Sequence, residues 1–299
     1  MKNWKKLTAA ALAALALVGA LAGCGNNADK KVATKQATKI VTDLKGREVS
    51  VPQDVKRIAV VPIPWASVIY AIDGSSERLA AMHAGAMSAY TGKFLETKDK
   101  HFAQIDTKII AQNFSVNIES AAQAGIDTAI LWQYQDKDAE KLTKVGIPTL
   151  LIYNDTVENL KKSFLIIGKL LGKEERAAKI NRYYDATNEK IIAKKAWEKT
   201  DKPTVLFLRN AKLRLQGNDN FMHEALRIGG GNNPYGQING GSEQTIAMEE
   251  VYKLNPDIIL LSNFDKFVPD DLYDNKIPGQ DWSTVKAVKT NYKKSRGQR

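Results

Sequence analysis

The sequence predicts an α/β protein of two Rossmann-like α/β lobes bridged by a single long α-helix. Three observations carry this expectation. No proline interrupts the chain between Pro148 and Pro203, and within it Ala177, Ile180, Tyr184, Thr187 and Ile191 recur at spacings of three and four, on one helical face. On either side of that stretch a pattern repeats. VNIESAAQAGIDTAIL at 116–131 and IAMEEVYKLNPDIILL at 246–261 each open a short helix with Glu, place an Asp eight residues later and run into an apolar strand. Elsewhere short apolar runs alternate with amphipathic ones, the mark of a mostly parallel sheet.

Taken in order, residues 1–23 read as a lipoprotein signal peptide. Lys2, Lys5 and Lys6 precede an apolar run from Leu7 to Leu21, shorter than the about 20 residues a helix needs to cross a bilayer. The run ends in Leu21-Ala22-Gly23-Cys24; Cys24 is the one cysteine, so an intramolecular disulfide is excluded. This ending resembles the bacterial lipobox, which implies cleavage before Cys24 and lipid on its thiol. Residues 24–39 are polar and read as a flexible tether.

The first lobe spans 40–171. It opens with a hairpin turning at Lys45-Gly46, then a buried strand from Arg57 to Val61 that ends at Pro62-Ile63-Pro64-Trp65. Strands at 79–82, 128–132 and 149–153 alternate with helices, and a helix over 156–171 stops at Gly172. The bridging helix is expected over 172–199, with Glu174 and Glu175 at its positive end. About 27 residues at about 1.5 Å each make a rod of about 40 Å.

The second lobe spans 200–299. A strand over 204–208 ends at Arg209, a helix over 221–228 stops in Gly229-Gly230-Gly231, and the loop 232–241 carries Tyr235. The Glu249 helix and a strand over 258–261 follow, then a short helix near 282–288. The first lobe has an apolar strand at 149–153 after Asp127, whereas no equivalent follows Asp257, and residues 289–299 hold five basic side chains. The second lobe therefore reads as C-terminally truncated, with apolar surface left open around 258–261.

Length and composition suit two soluble domains: 299 residues, 43% hydrophobic, 26% charged. The net charge of +11 suits an anionic membrane surface or an acidic ligand. No basic helix or aromatic–basic motif points to nucleic acid. His83, His101 and His223 are scattered, without metal-binding spacing, and the triple glycine follows a helix rather than a strand, so it is not a phosphate loop. Neither catalysis nor a resident cofactor is expected. A lipid-anchored surface enzyme is the rival class and would need an acid and a base in one pocket. An adhesion lipoprotein would lack a small-ligand cleft.

Several segments together resemble the substrate-binding lipoproteins of iron-siderophore, haem and vitamin B12 ABC importers, a helical-backbone type of periplasmic binding protein. They are VTDLKGR (41–47), KRIA (56–59), NIE (117–119) through Asp127, and GIP (146–148). LLGKEERA (170–177), GGGN (229–232) and Glu249 through Pro256-Asp257 complete the set. The resemblance covers about residues 40–288. It departs at Gly125-Ile126, where the family has Lys-Pro or Asn-Pro, and after Val288, where the family continues into a strand and helices. It implies a monomer on the extracytoplasmic face of the cell membrane, two lobes holding an iron-siderophore, haem or corrinoid, and an ABC permease with its ATPase as partner. It also implies that Glu119 and Glu249 dock on arginines of the permease. Helix capping is the competing reading of both glutamates.

Ligands of open α/β sheets lie beyond the strand C-termini. Candidates there are Trp65, His83, Tyr90, Trp132 and Tyr134 in the first lobe, and Arg209, Arg214, Tyr235 and Phe264 in the second. Aromatic faces suit a flat or catecholate chelate and arginine an anionic one. For each residue alone, packing competes with contact. Met82 and Met87 beside His83 are gap fillers or soft contacts to iron or cobalt.

Overall fold

A computed structural model describes residues 37–215, 221–235, 244–262 and 267–295. The signal peptide, most of the tether, Cys24 and Phe264 lie outside the described residues. The chain starts with the expected hairpin, β1 (Thr38–Thr42) antiparallel to β2 (Glu48–Pro52). Its turn needs Gly46, whose φ is 78°. The buried Asp43 carboxylate fixes the turn by accepting the N–H groups of Lys45 and Arg47 at 3.0 Å each. It also accepts Leu151 N–H at 3.1 Å, which ties the hairpin to the first lobe.

That lobe contains β3 (Ile58–Val60), α1 (Trp65–Asp73), β4 (Leu79–Met82), α2 (Ala84–Tyr90), α3 (Phe94–Lys98) and α4 (Ile118–Gln123). β5 (Thr128–Trp132), α5 (Asp136–Lys144) and β6 (Thr149–Ile152) follow. The sheet is parallel throughout, in the order β4-β3-β5-β6. Successive side chains go to opposite faces. Ile58, Val60, Ile130, Leu150 and Ile152 join one apolar cluster, while Ala59, Val61, Ala129, Leu131 and Leu151 join another.

α6 (Val157–Leu171) buries Phe164, Ile167, Leu170 and Leu171 in the first cluster. Gly172 stops it in the left-handed conformation, and the Lys173 N–H returns to Gly168 O at 2.8 Å. The bridging helix, α7 (Glu174–Ile192), then begins. It has 19 residues, hence about 28 Å, shorter than the sequence predicts. After Ile192 come the exposed Ala193, Lys194 and Lys195, and Lys195 turns left-handed at φ 48° before a 3-10 turn at Ala196–Glu198.

The second lobe comprises β7 (Val205–Asn210), β8 (Arg214–Leu215), α8 (Phe221–Ile228) and β9 (Gln244–Thr245). α9 (Met248–Leu254), β10 (Ile258–Leu261), α10 (Pro269–Tyr273) and α11 (Lys286–Ser295) follow. Its sheet runs β10-β7-β8-β9, with only β10 and β7 parallel. The antiparallel β8 and β9 are where the second sheet departs from the first. A tight turn with Leu213 at φ 57° folds β8 straight back on β7, where the first lobe continues into a helix.

The repeat is nevertheless realised where the sequence shows it. Asp127 Oδ2 accepts the N–H groups of Lys56 at 2.7 Å and Arg57 at 3.1 Å, and Asp127 N–H donates to Arg57 O. Asp257 Oδ2 accepts Thr204 N–H at 2.8 Å, and Asp257 N–H donates to Thr204 O. Each Asp thus sets the register of the parallel pair beginning one residue later, Thr128 with Ile58 and Ile258 with Val205. The ion pair with Lys286 and the Thr204 N–H hold the Asp257 carboxyl below the usual carboxylate range.

Of the helical face foreseen on α7, only Ala177 is buried. Ile180, Tyr184, Thr187 and Ile191 line an apolar groove of about 500 Å³ with Phe164 and Ile228. β5 is paired on both sides and buried along most of its length, whereas β10 pairs only with β7 among the described residues and leaves Ile258 39% exposed. Backbone amides of 258–261 are therefore expected to exchange with deuterium orders of magnitude faster than those of 128–132. Equal protection would mean that the outer edge of β10 is covered.

Candidate functional site

Three aromatic rings gather where β5 and β6 end. Trp132 is the last residue of β5, and Tyr153 is the first beyond β6, whose Ile152 pairs with Trp132. Trp132 and Tyr134 lie nearly parallel with centroids 6.2 Å apart, and Tyr153 stands edge-on to both at 5.7 and 6.1 Å. Tyr134 is 62% exposed, so the group offers a π surface to solvent. Partial burial, and then Tyr153 beside it, push the Tyr134 hydroxyl pKa up, and the phenol stays neutral at physiological pH. Tyr153 is held from behind: the buried Ser163 of α6 donates to its carbonyl at 2.9 Å.

His83 follows β4 and caps α2, its Nδ1 accepting the Gly85 N–H at 2.9 Å. An accepting Nδ1 places the ring proton on Nε2, which lies 3.4 Å from Gln112 O. The ring is buried beneath Phe114, stacked at 4.5 Å and 20°.

Two candidates belong to the core instead. Trp65 is 1% exposed and packs edge-on against Phe164 at 5.7 Å, because the first turn of α1 faces α6. Tyr90 is buried with its ring 5.1 Å from Phe102. Met82 is fully buried and Met87 packs against the same cluster, which is the gap-filling role.

On the second sheet, Arg209 near the end of β7 and Arg214 at the start of β8 share one hairpin. Burial, and then the charge of Arg214, lower the Arg209 pKa, so the two guanidinium groups feel one another. Tyr235 packs on the second-lobe cluster; burial, and then Glu250, push its hydroxyl up. Among the described residues no three His, Cys, Asp or Glu side chains converge on a metal position, and no helix is long and apolar enough to cross a membrane.

Glu119 and Glu249 are exposed in the first turns of α4 and α9. Neither caps its helix. Asn117 Oδ1 accepts Ser120 N–H at 2.9 Å on α4, and Glu250 reaches back to Ala247 N–H at 3.2 Å on α9.

The profile of the family described as periplasmic binding protein matches residues 115–293. The chain belongs to the periplasmic binding protein family. Its members are solute-binding proteins rather than enzymes. Among solved structures, a periplasmic solute binding protein from Veillonella parvula is 37% identical with a TM-score of 0.76, over 85% of this chain and 77% of that one. Among curated relatives from Bacillus subtilis, the ABC transporter substrate-binding lipoprotein YvrC is 24% identical over 282 residues, 90% of this chain and 83% of YvrC. The iron(3+)-hydroxamate-binding protein FhuD is 26% identical over 181 residues, 59% of this chain and 52% of FhuD.

In this periplasmic binding protein three residues around the candidate site were not singled out from sequence: Tyr153, Phe114, and Gln135, which bonds Trp132 N–H and Phe114 O. Tyr153 was legible as the residue just past a strand C-terminus; the other two reach the site through loop conformation, which leaves no periodic signal. A Cβ on Gly85 would lie 2.9 Å from His83 Nδ1 and 3.1 Å from Ile63 Cδ1. Gly85→Ala is therefore expected to displace the imidazole from Phe114 and to cost about 1–3 kcal/mol in chemical unfolding. An unshifted His83 ring resonance at wild-type stability would refute this locking.

Proposed function

We propose that this protein is the extracytoplasmic substrate-binding component of an ABC importer, capturing an iron-siderophore or related metal chelate between its two lobes. The exposed aromatic group at the ends of β5 and β6 carries this reading, since a π surface at strand C-termini suits a large, flat ligand. Arg209 and Arg214 complement it with positive charge for an anionic chelate. The relatives support the class of solute: one is named for iron(3+)-hydroxamate and one as an ABC transporter lipoprotein. Haem or a corrinoid is the second reading, favoured by the same flat aromatic surface. Lipid on Cys24 would anchor the protein at the outer face of the cell membrane as a monomer, beside a permease and its ATPase.

Tryptophan fluorescence titrated with ferric siderophores, haemin and cobalamin tests the solute class, because Trp132 lies in the aromatic group. Saturable quenching by one of them at micromolar concentration or below is expected. Arg209→Ala and Arg214→Ala should each weaken an anionic chelate about tenfold, the effect of losing a charge-assisted hydrogen bond. Absence of saturable quenching by every chelate would defeat the reading.

Exposed, non-capping glutamates at equivalent places on both lobes suit docking to basic residues of a permease, where rim charges govern orientation and encounter. Replacing Glu119 and Glu249 together by Ala should cut uptake in cells while solute affinity stays within about twofold. Loss of affinity in a folded double variant would count against docking.

A further inference from the structure

Gln135 occupies the N-cap position of α5 yet makes no capping bond. Its amide is engaged elsewhere: Nε2 donates to Phe114 O at 3.0 Å, and Oε1 accepts Trp132 N–H at 3.1 Å. Asp136 and Asp138 supply negative charge to the first turn of α5 instead. The residue thus ties the backbone of the aromatic turn to a loop distant in sequence.

Phe114 at the other end of this tie is unusual in itself. It adopts the left-handed conformation at φ 66°, a conformation costly for a bulky side chain that persists only where surroundings impose it. The surroundings are on view. Ala111 N–H bonds Ser115 O at 2.9 Å and Phe114 N–H bonds Ala111 O at 2.8 Å, closing the loop. Asn113 Oδ1 accepts the Ser115 hydroxyl at 2.8 Å. The phenyl ring then lies flat on His83, and the carbonyl receives Gln135. One relay therefore runs from the end of β4 through Phe114 and Gln135 to Trp132 at the end of β5, and through ring contacts to Tyr153 beyond β6.

We infer that Gln135 and Phe114 are positioning residues: together they form a clasp that holds the Trp132–Tyr134–Tyr153 group in its binding-competent arrangement before the solute arrives. This rests on the reading that the aromatic group meets the solute. Neither clasp residue needs to touch the solute. Without the clasp the turn at 133–135 samples other arrangements, and apparent affinity falls in proportion to the competent fraction. The loss falls on association, because the contacts in the bound state are unchanged. Removing a ring that touches the solute speeds dissociation instead.

That kinetic split is the test. The full chain, Gln135→Ala and Tyr134→Ala are compared by stopped-flow tryptophan quenching, with ferric tris(2,3-dihydroxybenzoate) and haemin as probes. Gln135→Ala should slow association about fivefold or more and leave dissociation within twofold, whereas Tyr134→Ala should mainly accelerate dissociation. Should Gln135→Ala fail to fold, Gln135→Glu takes its place, since it keeps the acceptor for Trp132 N–H but loses the donor to Phe114 O. Unchanged association in the folded Gln135 variant, with weakened binding in Tyr134→Ala, overturns the clasp and leaves the solute face standing. If neither probe binds, or Tyr134→Ala binds like the parent, the solute face itself is misassigned and the clasp falls with it.

Discussion

Gly168 of α6 lies so close to Ala177 of α7 that a Cβ on the glycine would stand 2.5 Å from the alanine Cβ, and the path of the chain into the second lobe depends on this approach. α7 buries little of its own: Ala177 and Asn181 are its buried residues. Its position is borrowed from α6, which packs Phe164, Ile167, Leu170 and Leu171 into the first-lobe core. Each such side chain contributes about 1.5–3 kcal/mol on burial. The Lys161–Asp185 pair that also joins the two helices is partly exposed on both sides, and such pairs contribute only about 0.2–1 kcal/mol. Close packing therefore sets the bridge, and the ion pair trims it. The left-handed Gly172 turns the chain so that this contact forms at the first turn of α7.

Once α7 is fixed, each lobe faces the same local problem of starting a parallel strand pair in register. Both solve it with an Asp whose side chain and N–H bracket the residue just before the neighbouring strand, Asp127 on Arg57 and Asp257 on Thr204. This part of the fold was legible from sequence because the device is compact: a carboxylate, a helix before it and an apolar strand after it. The hairpin at Gly46 was legible for a similar reason, a single turn residue between apolar runs. β8 and β9 were not. Two-residue strands carry no alternation to read, and the turn at Leu213 decides the pairing of β8 with β7 alone. The end of α7 escaped because a lysine-rich continuation has good helix propensity, whereas the left-handed Lys195 breaks the helix there.

The aromatic group at the strand ends was legible in position and only partly in membership. Strand C-termini pointed to Trp132, Tyr134, His83 and Arg209, but the same rule included Trp65 and Tyr90, which the core absorbs. An aromatic residue just past a strand satisfies both roles equally well in sequence. What separates them is the helix opposite: α6 lies over Trp65 through Phe164, whereas Tyr134 remains exposed. Phe114 and Gln135 were invisible because their contribution lies in one unusual φ angle and one amide, neither of which has a pattern.

The two lobes repeat their strand starts and their exposed glutamates but diverge at the opposite end of the strands. The first lobe ends in a group of rings whose conformation is held by side-chain amide and stacking contacts. The second ends in a hairpin that carries Arg209 and Arg214, where burial, and then the charge of Arg214, lower the Arg209 pKa. The scaffold is thus repeated at one end of the strands and differentiated at the other. The equivalent ends each carry an exposed glutamate that its own helix does not use as a cap. The unlike ends carry a π surface in one lobe and two arginines in the other, which in the proposed function meet a ligand that is both flat and anionic.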